Sequence, residues 1–287
     1  MALEFPPSSY YYAKKREKEP SARDIRDDFL EQKIMEVWKS EKGREVYGAR
    51  KVWLEMNAQG IEVARFTVER LMKKLGICGA GNSRKRPPTT KPGDPADRPA
   101  DLLDRYFSAG APNRRWVADI TYVPAESGWV YTAFIMDLFS RRIVGWQVAD
   151  NLRAEIALDA LEMAIFVRRD EDLGGLVHHS DRGVQYTAIR YAERLAAERA
   201  VRSVGSKGDS YDNAAAESLN SLYKRELIDP KSDWKNVDDV MLATMDWVQW
   251  YNEERIHSYS GDMPPKKFEE TYYEMLESGR LTSSSQM

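Results

Sequence analysis

Apolar positions recur with a helical period in the first third of the chain and with a strand period through its middle. Residues 28–42 predict a helix with Phe29, Ile34, Val37 and Trp38 as its apolar stripe. Residues 47–60 predict a second, with Val52, Trp53 and Met56 on one face and Gly60 placed to end it. A third fits residues 64–75, where Val68, Leu71, Met72 and Leu75 follow i, i+3, i+4, i+7 spacing. Two short helices joined by a tight glycine-containing turn are the layout of a helix-turn-helix. Arg65, Arg70, Lys73 and Lys74 on the second of them are then candidates for DNA phosphates. A plain helical hairpin with a solvated basic face would show the same pattern.

Residues 81–100 are rich in proline and polar groups and cannot bury a core, so they read as a linker. Arg84, Lys85 and Arg86 open it as a basic arm suited to DNA. From residue 114 the period changes to two. Val117, Asp119 and Thr121 alternate with Trp116, Ala118, Ile120 and Tyr122, and strands follow at 128–139 and 141–150, joined closely enough to be antiparallel. A helix at 154–168, a strand at 176–180, a helix at 187–200, a strand at 201–204 and two long helices near 213–227 and 236–256 complete the pattern. That order predicts an α/β class: a mixed five-stranded sheet with flanking helices, as in the ribonuclease-H-like fold, preceded by a small all-α domain.

No run of 18 apolar residues exists, so no membrane span is expected and the cytoplasm is the expected compartment. The single cysteine, Cys78, excludes an internal disulfide framework and a cysteine-rich zinc site. A net charge of −3 hides an asymmetry: 21 basic residues face 15 acidic ones in the first hundred, and 22 face 31 thereafter. Local positive surface decides polyanion binding, so the front of the chain suits phosphates and the back suits divalent cations.

Three carboxylates stand out. Asp119 lies inside an apolar strand, where a charge is costly without a partner or metal. Asp181 follows a short strand directly, and Glu217 opens a helix on which Asn213, Glu217, Asn220 and Lys224 share a face. Oxygen donors from a strand, a strand end and a helix suit Mg2+ or Mn2+. Two such ions support phosphoryl transfer without a protein nucleophile. Thirty-five residues separate Asp181 from Glu217, but carboxylates are 46 of 287 residues, so spacing alone decides little. His179 and His257 read as supports behind the ligands or as packing residues, Asp137 as structural or a neighbour of the site, and Asp212 with Asn213 as caps of the Glu217 helix.

The surrounding words decide more. YGARKVW (47–53), PNRRWVADITYV (112–123), DLFSRRIVGW (137–146), HSDRGVQY (179–186), SYDNAAAES (210–218), YKREL (223–227) and WYNEERIH (250–257) run in order along about residues 9–272. With them the chain resembles the insertion-sequence transposases of the "IS-three" family and, more widely, the retroviral integrases. SYSGDMPPKKFEE (258–270) departs from the commonest form of that pattern. The resemblance implies a D,D,E site of Asp119, Asp181 and Glu217 holding two Mg2+ or Mn2+ ions, with Lys224 at the family's basic position. It divides the chain into a helical extension (1–46), a helix-turn-helix-like module (47–80), a linker (81–111), an integrase catalytic core (112–272) and a tail (273–287). Implied partners are element terminal repeats and target DNA, a second copy on DNA, and an upstream-frame helix-turn-helix product fused by frameshifting. A catalytically incomplete product, acting as a DNA-binding regulator or needing that fusion, is the alternative to a complete enzyme, and a ribonuclease-H-type nuclease shares the expected fold.

Overall fold

A computed structural model describes residues 20–81 and 108–280, apart from 182, 184, 187 and 205–213. Arg84, Lys85, Arg86, Asp212 and Asn213, singled out above, lie outside the described residues. The chain divides into two compact units between residues 81 and 82.

The first unit is a three-helix cluster. Helix α1 (Ala22–Lys39) starts six residues earlier than its apolar spacing suggests, because Ser21 and Asp24 form a reciprocal capping box. Its buried stripe is Leu30, Ile34 and Val37, whereas Phe29, expected inside, is 49% exposed. Helices α2 (Ala49–Ala58) and α3 (Arg65–Lys74) bury Val52 and Met56, and Val68, Leu71 and Met72, against that stripe. Gly60, at φ 80°, turns the chain between them, and the Trp53 indole donates to the Val63 carbonyl at 2.8 Å. Helix α1 packs on both, so one unit spans the boundary expected at residue 46.

The second unit is built on a five-stranded sheet of order β3-β2-β1-β4-β5. Strands β1 (Arg115–Ala125), β2 (Gly128–Asp137) and β3 (Ile143–Ala149) form an antiparallel meander, and β4 (Val177–Ser180) and β5 (Val201–Val204) extend it in parallel from β1. Helices α4 (Ala154–Val167) and α5 (Ile189–Ala197) cover one face, burying Trp116, Ala118, Ile135, Leu161, Tyr191 and Leu195. Close approach of β3 to α4 requires Gly145: a Cβ there would stand 2.1 Å from the Ala160 carbonyl oxygen. The opposite face packs Phe134 against Tyr223 and Trp247, from α6 (Ala214–Tyr223) and α7 (Val237–Glu253).

A π-helical turn, Lys224–Ile228, follows α6 directly. It splits the single long helix expected over 213–227. Helix α8 (Pro265–Glu277) crosses the expected start of the tail at 273, because Tyr272 packs on Phe139 and the Tyr273 hydroxyl donates to Glu171. The same helix brings Glu269 into a buried ion network, where Arg168 meets Glu269 at 2.6 Å, Glu171 at 2.9 Å and Asp137 at 3.8 Å. Burial pushes the Asp137 carboxyl up to about 6, with Glu269 adding to the rise and Arg168 opposing it. Asp137 also accepts from the Asn113 and Phe139 amides, so its place is in this structural network.

Candidate active site

Two of the three carboxylates are placed by the sheet itself. Strands β1 and β4 run parallel in a register that ends with Ala118 opposite Ser180. Asp119 is the next residue on β1 and Asp181 the first residue after β4, so both follow the last pair of a ladder whose strands lie about 4.8 Å apart. Strand ends of this kind gather binding sites in α/β sheets.

Each carboxylate is then held locally. Asp119 Oδ1 accepts from the Ile120 amide at 2.9 Å, and Oδ2 accepts from the Asn220 side-chain amide at 2.8 Å. Asp181 Oδ1 accepts from the Gly183 amide at 2.9 Å, and a Cβ on Gly183 would stand 2.9 Å from that oxygen, so the motif's glycine keeps the approach open. Glu217 is exposed on α6, three residues and about one turn before Asn220. The helix face that meets Asp119 therefore also presents Glu217.

The electrostatics register this convergence. Burial pushes the Asp119 carboxyl up to about 8, the charge of Asp181 and then that of Glu217 push the same way, and the Ile120 and Asn220 hydrogen bonds oppose them. Burial raises Asp181 as well, against the Gly183 hydrogen bond and the nearby His179. Glu217, although exposed as a residue, is raised by partial desolvation of its carboxyl. Asp119 thus senses the other two carboxylates, but they do not close into a cage: among the described residues no three His, Cys, Asp or Glu side chains gather tightly enough to hold an ion.

The donor chemistry fits a hard divalent cation. All three side chains offer oxygen, their mutual repulsion favours an added positive charge, and the buried Asn220 Oδ1 accepts no hydrogen bond among the described residues. Asn220 shared a predicted face with Glu217, but nothing in the sequence marked it as the group that grips Asp119.

The remaining candidates scatter. His179 is buried on β4, two residues before Asp181, with Nδ1 2.9 Å from Ser203 Oγ. His257 is seated against Arg255 and the Tyr251 ring, and Arg255 in turn pairs with Glu226 of the π-helical turn at 2.5 Å. Lys224 opens that turn, its Nζ 4.5 Å from the centre of the Tyr122 ring. In the helical unit, Arg70 bonds both oxygens of Asp27, Lys74 pairs with Glu31 at 2.5 Å and Arg65 with Glu69 at 2.8 Å. Lys73 is exposed, with no ion-pair partner among the described residues. Three of the four basic residues assigned to phosphates are thus already engaged by acids of their own unit.

Integrase core domain families match residues 109–210 and 201–265, and an HTH-like domain family matches residues 24–86. A putative transposase for insertion sequence element IS986/IS6110 of Mycobacterium tuberculosis is 51% identical, covering 93% of this chain and 95% of its own. This chain belongs to the insertion-sequence transposases. The transposase for IS629 of Shigella sonnei is 44% identical over 94% of this chain and 90% of its own. Transposase InsF for insertion sequence IS3A of Escherichia coli is 33% identical over 79% and 78%. Among solved structures, the HTLV-2 integrase catalytic core domain in complex with magnesium covers 55% of this transposase and 97% of its own chain, at 14% identity and a TM-score of 0.45. Among the described residues of this transposase, no helix is long and apolar enough to cross a membrane.

Proposed function

We propose that this transposase nicks DNA at the ends of an insertion sequence and joins the freed 3′-hydroxyls to target DNA, with Asp119, Asp181 and Glu217 as its catalytic carboxylates. The observation that carries the reading is geometric: Asp119 and Asp181 each follow the last paired residues of β1 and β4, and Asn220, on the helix of Glu217, bonds Asp119 at 2.8 Å. Those three residues would hold two Mg2+ or Mn2+ ions. When bound, the ions supply activation of the attacking oxygen and stabilisation of the leaving oxygen.

The chain's own residues supply position and charge. The β1–β4 ladder fixes two carboxylates against the sheet, and Asn220 holds Asp119 in one orientation through Oδ2. His179 stands behind Asp181 and favours its ionised form. Lys224 is assigned to the DNA strand beside the scissile phosphate, and Arg65, Arg70, Lys73 and Lys74 to duplex phosphates. Each of Arg65, Arg70 and Lys74 would exchange an intramolecular acid for a phosphate on binding. Arg84, Lys85 and Arg86 would extend that contact, and Asn213 and His257 would support the site from its margins. Two DNA ends must be handled together, so a homo-oligomer on DNA is part of the proposal, as is fusion to an upstream helix-turn-helix product for end recognition.

The test is strand cleavage and joining on element-end DNA with Mg2+. Asp181→Asn and Glu217→Gln should stay folded by circular dichroism and lose both reactions by at least about a thousand-fold, a ~4 kcal/mol loss of transition-state stabilisation. Full activity in either variant overturns the assignment.

A further inference from the structure

Tyr186 ends the HSDRGVQY segment that carries Asp181, and its hydroxyl is unlike those of the other buried tyrosines nearby. The ring is 2% exposed and packs in the core with Trp116, Tyr191 and Leu195. It meets Tyr191 edge to face, with centroids 5.5 Å apart and planes at 80°. The Tyr191 hydroxyl lies 3.0 Å from His178 Nε2, and that of Tyr223 lies 2.7 Å from Thr244 Oγ1. The Tyr186 hydroxyl is similarly buried, yet it has no hydrogen-bond partner among the described residues. A buried hydroxyl left unpaired destabilises a fold, and a phenylalanine would fill the same space without that cost.

Local geometry brings this ring up to the carboxylate. Asp181 Oδ1 accepts from the Gly183 amide at 2.9 Å, and the Tyr186 amide donates to the Gly183 carbonyl at 3.1 Å. Two successive tight turns thus fold the segment back on itself. A Cβ on Gly183 would stand 2.9 Å from Asp181 Oδ1 and 3.5 Å from Cδ2 of the Tyr186 ring. Carboxylate and ring are therefore separated by the width of one methyl group. The Gln185 side-chain amide anchors the segment by donating to the Leu152 carbonyl at 3.2 Å. Burial holds the phenol well above its ordinary range, with Tyr191 and then the charges of Asp119 and Asp181 adding to the rise. The proton stays on the oxygen and is available to an acceptor.

Depth decides what that acceptor is. Nucleic acid does not reach a side chain that is 2% exposed. A single water does, since buried waters satisfy polar groups that the chain leaves unpaired. Beyond such a water, the acceptor on the Gly183 side is the Asp181 carboxylate.

We infer that Tyr186 is a positioning residue, its hydroxyl donating through one buried water to the Asp181 carboxylate. The inference rests on the proposed catalytic reading and adds a group that prepares one of its carboxylates. A donor of this kind favours the ionised form of a carboxylate and fixes its direction. Losing one such partner costs roughly 10- to 100-fold in metal affinity.

The experiment compares full-length wild type with Tyr186→Phe, without DNA, by titrating Mn2+ alone and by thermal melting in a chelator. Tyr186→Phe should melt no lower than wild type, because the fold does not use the group removed, and should bind Mn2+ roughly ten-fold more weakly. In strand joining it should need about ten-fold more Mn2+ for half-maximal rate, match wild type at saturation and keep the wild-type KM for DNA. An unchanged Mn2+ affinity overturns the inference and leaves the hydroxyl to a water of the core alone. A Tyr186→Phe variant that melts below wild type overturns it as well, since the hydroxyl then serves the fold. Asp181→Asn in the same titration should lose Mn2+ binding. If it does while Tyr186→Phe binds as wild type does, the role of the tyrosine alone falls. Full Mn2+ affinity in Asp181→Asn removes the carboxylate reading and the inference with it.

Discussion

Asp119→Asn tests whether the carboxylates strain the fold when no cation is bound. The substitution keeps shape and removes charge. Ile120 and Asn220 each donate to the carboxylate at about 2.9 Å or less, and Asn220 can turn its Oδ1 toward the new amide, which leaves one buried amide atom of Asn220 unpaired as before. A carboxyl moved from 3.8 to about 8 corresponds to at most about 6 kcal/mol of strain in the ionised site, at roughly 1.4 kcal/mol per pH unit. Because the folded value is raised, the proton's contribution to stability is complete below pH 3.8 and is lost as pH rises through about 8. In calorimetry with a chelator present, wild type and Asp119→Asn should therefore melt together near pH 4. Their separation should widen between pH 5 and 8 and level off above. At pH 9 the variant should melt higher by on the order of 10 °C, the equivalent of about half the limiting energy. Mg2+ should raise the wild-type Tm by mass action and leave the variant almost unmoved. A separation that is constant from pH 4 to 9, or a variant less stable than wild type at pH 9, would refute the reasoning.

Other substitutions probe the scaffold. Arg168→Met removes the cation between Glu269 and Asp137 and leaves buried carboxylates unpaired; urea unfolding should show a loss of about 3–5 kcal/mol. Gly145→Ala drives a methyl into the Ala160 carbonyl, so it should cost at least about 3 kcal/mol or yield insoluble protein; wild-type stability would show that β3 and α4 do not approach so closely. Tyr223→Phe deletes a hydroxyl 2.7 Å from Thr244 Oγ1 and should cost about 1 kcal/mol by urea titration.

Much of this molecule is legible in one dimension where neighbours in space are neighbours in sequence. The helices of the first unit follow from the spacing of Val52, Met56, Val68, Leu71 and Met72, all of which are buried. Phe29 misleads because a single residue's hydrophobicity says nothing of which face a neighbouring helix will cover, and Leu30 is buried in its place. The strands follow from alternation, and the placement of Asp119 and Asp181 just past the last pair of one ladder follows once β4 is known to pair in parallel with β1. The grip of Asn220 on Asp119 spans 101 residues, as does the contact of Arg168 with Glu269, and no local pattern announces a partner so far away. The π-helical turn at Lys224–Ile228 escapes for a related reason. Its stretch of sequence reads as ordinary helix, while Arg255 grips Glu226 inside it from 29 residues away.

Tyr223 gives the helix bearing Glu217 a fastened end. Its phenol is fully buried and bonded to Thr244 and Thr132, which fastens the last residue of α6 to a strand and to another helix. Glu217 lies six residues away, about 9 Å along the axis, on the stretch that begins the helix. Buried Ala215, Ala216 and Leu219 and the Asn220 bond to Asp119 hold the rest of that helix, so Glu217 rides on an element fastened at several points. Thr132 and Thr244 therefore bear on Glu217 through the length of one shared helix.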